Sequence, residues 1–186
     1  MDTFAEDLKN ALTSLVSGAG DVVATTSSVA KKTVVNTLSA GGDVASASVQ
    51  VGSDVVSGGV KAVSMAGVSV ASGISGLVSG TLEGVKEVGG NLSDTAVAIS
   101  HGAVKTVSEI GGDLGEAAVS AVEGTIKAAS EIGEDVGSMA KNAVTGSLQA
   151  ADEIGTEAGS LVRKALLGAA SLPHDIIDAL LTGKTE

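Results

Sequence analysis

Glycines at positions 58, 80, 102, 124, 146 and 168 step by 22 residues, and a second series at 67, 89, 111, 133 and 155 keeps the same step. Each 22 divides into two halves of 11, as in AVEGTIKAASE, IGEDVGSMAKN, AVTGSLQAADE and IGTEAGSLVRK, which follow one another from Ala121 to Lys164. Such a repeat constrains architecture before any motif does, because each unit must bury its apolar side against its neighbours. Eleven residues make three helical turns at about 3.67 residues per turn, so one face stays aligned over great length with a slight right-handed drift. The first column of the frame, from Ala11 through Val88, Ile110 and Ile154 to Ala165, is apolar in every row except Thr33. No alternation of period two is sustained. The pattern therefore predicts an amphipathic helix with a broad apolar arc built of small side chains.

Those small side chains set the next constraint. The apolar fraction is 44%, but Phe4 is the only aromatic residue, and Ala and Val bury little area apiece. The expected fold class is all-α: long amphipathic helices, extended or folded into hairpins, without a compact globular core. Uninterrupted from about residue 4 to about 170, such a helix would run about 250 Å. Glycine costs about 1 kcal/mol per helical position relative to alanine, so an isolated helix carrying 26 glycines would not hold in water. Order must come from association. Paired glycines at Gly41-Gly42, Gly58-Gly59, Gly89-Gly90 and Gly111-Gly112 are the candidate kinks; the last two lie within the strict repeat, which favours continuity there.

Three regions follow. Residues 1–20 read as an N-terminal amphipathic anchor, with Thr3 and Glu6 as a capping box and Phe4, Leu8, Leu12 and Leu15 as large apolar residues. Residues 21–170 carry the repeat. Residues 171–186 form a short C-terminal helix and tail, with Ser171 as cap, Pro173 in the first turn, and Ile176, Ile177, Leu180 and Leu181 as a second anchor. The uncharged stretch from Ala62 to Leu82 is long enough to cross a bilayer, but its serines and glycines favour a shallow or packed helix.

The two halves of each 22 differ. In one half the second and sixth columns hold Val122 and Ile126, or Val144 and Leu148; in the other they hold Gly111 and Gly115, Gly133 and Gly137, or Gly155 and Gly159. On a continuous helix this makes a bulky ridge alternate with a GxxxG notch, and small-xxx-small spacing lets two helix backbones approach closely. The expected consequence is lateral packing of identical helices, ridge into notch. On the polar side Glu109 with Asp113, Glu131 with Asp135 and Glu153 with Glu157 form like-charged i,i+4 pairs that disfavour a lone helix.

Catalytic chemistry finds no footing. Gly183-Lys184-Thr185 has the end of a phosphate-binding loop without its first glycine, since residue 178 is Asp. His101 and His174 stand alone, there is no cysteine, and no serine sits in a nucleophile context. The net charge of −11 repels nucleic acid, and no aromatic platform exists for bases. We therefore expect no enzyme, cofactor, metal, nucleic-acid partner or small-molecule substrate. The acidic start MDTFAEDLKNALTSLVSGAG lacks the basic flank of an export signal, so the expected location is cytoplasmic, with a peripheral site on a membrane, vesicle or granule as the further option.

The 11-residue repeat, with phrases such as HGAVKTVSEIGG and AVEGTIKAASE, resembles the synucleins, perilipins and exchangeable apolipoproteins over about Ala11 to Asp175. The resemblance implies long helices lying on membranes, lipid droplets or lipoprotein particles. The chain departs from those families in lacking the synucleins' Lys-rich hexamer and in its few basic residues, which points away from anionic membranes. The expected function is a self-associating structural protein, a coat or scaffold on a lipid or granule surface. The alternatives are a lipid-independent filament or bundle and, third, a β-solenoid of 22-residue coils suggested by the Val/Thr/Ser-rich region from Val22 to Gly80.

Overall fold

From Asp43 to Gly155 each repeat opens on a residue that caps a helix and closes on a glycine that ends one. In the computed structural model, which describes residues 21–40 and 43–182 together with Glu6 and Asn10, eight helices with defined bounds follow in order. They are α1 (Val22–Ser39), α2 (Val44–Ala66), α3 (Val70–Glu87), α4 (Leu92–Glu109), α5 (Leu114–Ile132), α6 (Val136–Ile154), α7 (Thr156–Gly168) and α8 (His174–Thr182). The described residues contain no strand, which overturns the β-solenoid alternative.

The caps explain the bounds. Asp21, Asp43, Ser69, Asn91, Asp113 and Asp135 each precede a helix, and their side chains accept the exposed backbone N–H groups of its first turn, as Asp113 does from Glu116 at 2.9 Å and Asp135 from Ser138 at 2.7 Å. Two residues before four of these caps stand Gly67, Gly89, Gly111 and Gly133, at φ values of 70°, 74°, 72° and 74°. That left-handed backbone strains any residue with a Cβ. The N–H groups of Gly90, Gly112 and Glu134 then reach back to the carbonyls of Val85, Val107 and Ala129, each at 2.9 Å, closing the helix ends. The chain turns here. This corrects the expected continuity through Gly89-Gly90 and Gly111-Gly112, while Gly58-Gly59 lies inside α2 and makes no break.

Helices adjacent in sequence run antiparallel: on α2 and α3, Gly59 faces Leu77 while Gly73 faces Val63. Every second helix runs parallel: Val23, Ser27 and Lys31 of α1 lie under Gly76, Gly80 and Gly84 of α3. The result is two rows, α1–α3–α5–α7 and α2–α4–α6, with α8 packed on α6 and α7 at the end of the second. Helix α2 is longer than its neighbours, 23 residues against 18 in α4, and its extra turn overhangs at its N-terminus, where Ser48 first meets the start of α4 through the Asn91 N–H.

A continuous buried core runs between the rows, from Ala30 and Val34 through Leu77, Leu82, Ile99, Val122 and Val144 to Leu166 and Ile177. The expectation of a chain without a compact core is thereby corrected. The small side chains suffice because the helix backbones come so close that a Cβ on Gly80, Gly124 or Gly146 would overlap a carbonyl oxygen of the facing helix, and close packing recovers dispersion energy that larger side chains would otherwise supply. Helix α3 lies at the centre, packed against α1, α2, α4 and α5, and most of it from Gly73 to Val85 is buried. The uncharged Ala62–Leu82 stretch is thus mostly core, and among the described residues no helix is long and apolar enough to cross a membrane.

Candidate functional site

The proposed notch glycines fall on either side of helix breaks. Gly111, Gly133 and Gly155 have positive φ values of 72°, 74° and 146° and sit in the turns, where an added Cβ would meet nothing within 4 Å. Gly115, Gly137 and Gly159 lie in the first turns of the following helices. An added Cβ would stand 2.7 Å from the Ala165 Cβ of α7 at Gly115, 3.4 Å from Ile176 Cδ1 of α8 at Gly137, and 2.8 Å from Asp152 at Gly159. No single helix face carries both members of a pair, so the continuous ridge-and-notch surface is replaced by a turn and a close helix crossing. The ridge faces inward: Val122 and Val144 are fully buried, and Ile126 and Leu148 are half-buried against the same core.

Of the anchors, Phe4, Leu8 and Leu12 lie outside the described residues. On α8 itself Ile177 is buried, and Ile176 and Leu180 are half-buried beside it. Ser171, expected to cap that helix, instead donates its hydroxyl to Glu123 of α5, and the Pro173 carbonyl accepts the N–H groups of Ile176 and Ile177.

The close approaches are made by the other glycine series. A Cβ on Gly124 would lie 2.5 Å from the Ser75 carbonyl oxygen; on Gly80 and Gly146 it would run into the carbonyls of Ser27 and Val97, and on Gly102 it would press on Ser57 Oγ at 3.1 Å. Each helix from α3 to α6 thus touches the helix two before it at a mid-helix glycine, and α3 does so at Gly76 and Gly84 as well. The sequence carried two signals for this that the 11-residue frame obscured: Gly76-Gly80-Gly84 at i,i+4 spacing, and Gly-x-Ser/Asn/Asp at every turn from Gly67 to Asp135.

Charges follow the rows. Lys86 pairs with Glu134, 48 residues on, and Lys61 with Glu109 at 3.0 Å and Lys105 with Glu153 at 3.7 Å repeat that spacing, two repeats plus one helical turn. Lys31 reaches Glu87 at 3.2 Å, and Arg163 holds Asp152 at 3.1 Å. His101, solitary in sequence, lies 3.1 Å from Glu153. The carboxyls of Asp113 and Asp135 belong to caps rather than to a like-charged ladder on one helix. The Ser138 N–H and hydroxyl hold Asp135 below the usual carboxyl value of 3.8, and the Ser46 hydroxyl and N–H do the same for Asp43. Among the described residues no group of three or more His, Asp or Glu is arranged to hold a metal ion.

One row is imperfect. Gly168, in register with Gly80, Gly102, Gly124 and Gly146, ends α7 with nothing within 4 Å of its Cβ position. In its place a groove of about 890 Å³ opens between α5 and α7, lined by Val119, Leu161, Ala165 and Gly168 and by Ala71 of α3. A smaller cavity of about 330 Å³, lined by Val70, Ile74, Val107 and Ala117, adjoins it. Compared with protein-family models, curated proteins and solved structures, the chain matches none.

Proposed function

We propose that the chain is a non-enzymatic structural protein that associates through its amphipathic helices and serves as a coat or scaffold on a lipid or granule surface. The observation that carries this reading is the makeup of its helix faces. Helices α4, α5 and α6 bury chiefly Ala, Val, Gly, Ser and Thr against one another, so each face releases little area when it exchanges its partner for lipid or for another copy. The resemblance to synucleins, perilipins and exchangeable apolipoproteins supports a lipid surface, and the net charge of −11 favours a neutral one. Carboxylates placed at helix caps, in exposed ion pairs and along a groove edge, none of them buried among the described residues, support a role without chemistry.

The test is flotation with phosphatidylcholine vesicles and with triolein droplets, followed by circular dichroism of the floated fraction. The coat reading expects the protein to float with at least one of these and to stay helical; protein that remains at the bottom with both refutes it. A lipid-independent assembly is the second reading, favoured by Met65, Ile110 and Ile154, exposed at the C-terminal ends of α2, α4 and α6 at nearly even spacing along one edge of the array. Sedimentation of lipid-free protein across a concentration series separates the two: mass rising with concentration supports assembly, and loss of that rise on changing the three residues to Ser locates it.

A further inference from the structure

We propose that the groove between α5 and α7 takes up a lysine- or arginine-bearing amphipathic helix of a partner protein. Its floor repeats the means by which this fold packs helices. Gly168 offers backbone without a side chain, Val119 and Ala165 give an apolar lining, and Leu161 at the border is 51% exposed. In the interior rows the position of Gly168 is pressed against the helix two before it; here that contact is open, leaving a slot where an apolar helix face fits.

The charge around the slot chooses the occupant. Asp113, Glu116 and Glu123 border it against one cation, Lys164. A second copy of this chain, at net −11, brings the wrong sign, and so does the chain's own N-terminal segment, where Asp2, Glu6 and Asp7 outweigh Lys9. Like charges brought together oppose docking, whereas basic side chains on a partner helix complement the rim and speed its encounter. The recognition mode is a helix laid in a groove, read through apolar residues at i, i+4 and i+7 with cations on the flanks.

The probe is a fluorescent amphipathic peptide of Leu, Ala and Lys, 18 residues long to match α4, titrated with the full chain and read by polarisation. A peptide of the same pattern with Glu in place of Lys is the control. Gly168→Leu places a side chain in the slot from a position where an added Cβ meets nothing within 4 Å, and circular dichroism of the variant checks that the fold is retained. Glu116→Lys reverses the rim, and Glu131→Lys makes the same change of net charge on the exposed far end of α5. The proposal expects the Lys peptide alone to bind, with Gly168→Leu and Glu116→Lys each weakening it about tenfold or more. Glu131→Lys leaves it within about threefold, because exposed charges beyond a Debye length are screened. It is overturned if the Lys peptide fails to bind, if both peptides bind alike, if Gly168→Leu is without effect, or if the two Glu→Lys changes weaken binding equally, which marks attraction to net charge alone.

Discussion

At Gly80 a methyl group would run into the Ser27 carbonyl of α1, whereas at Gly133 it would enter open space but on a backbone at φ 74°. The two glycines answer different demands, and alanine separates them. Gly80→Ala must push α1 away from α3 and lose packing along the whole contact, at about 2–3 kcal/mol. Gly133→Ala keeps every contact and strains one residue, at about 1–2 kcal/mol. Gly168→Ala, free of both constraints, is neutral or stabilising by up to about 1 kcal/mol. Thermal melts of the three variants check this order, and a Gly80→Ala protein as stable as the parent would refute the close packing of α1 on α3. The sequence showed that these glycines recur but not which kind each was. Twenty-two residues are close to six helical turns, so a straight helix and one broken at every repeat place the same columns on the same face.

At the level of the helix, the caps carry the break. Asp113 and Asp135 looked like partners of Glu109 and Glu131 on one polar ridge; the left-handed glycines between them put cap and preceding carboxylate on different helices. The Gly-x-Asp signature was legible, and the 11-residue frame, which splits each repeat evenly, drew attention away from it. The caps also set a response to acid. Because hydrogen bonds favour the charged forms of Asp43 and Asp135 in the fold, their carboxyls sit below the ordinary 3.8. Their contribution is fully present above that value and is lost as pH falls through the lower folded-state value. Asp135→Asn keeps an oxygen acceptor for the Ser138 N–H but cannot titrate. The expected result is a melting temperature that falls less steeply than the parent's as pH is lowered below about 4. Parallel curves for parent and variant would remove Asp135 from the acid response.

Across the whole molecule, parallel packing of every second helix lets the chain be shortened by a whole repeat but not by a half. Deleting residues 92–113 leaves Asn91 as the cap of α5 and sets Gly124 where Gly102 stood, over Ser53 and Ser57, with Glu131 in the place of Glu109 opposite Lys61. We expect a helical protein with a cooperative melt at a somewhat lower temperature. Deleting residues 92–102 preserves the 11-residue phase, which a continuous helix would tolerate, but halves α4 and leaves α2 and α6 without its buried face; we expect loss of the cooperative transition by circular dichroism. The N-terminal end of the described array is polar: Ser28, Lys32 and Asn36 are exposed on α1 where α3 presents Gly76, Gly80 and Gly84. Composition alone had argued against a core, because it counted side-chain volume and could not count how near the backbones come.

The mid-helix glycine has one more consequence. Each repeat slips a helix between two existing ones and brings its own cap, turn and crossing point, so the dimension of this protein along its rows is a tally rather than a length. A tandem duplication of 22 codons within the repeat region lengthens the array by one step and leaves both ends as they were. Descendants of such a gene differ in count while sharing every interface.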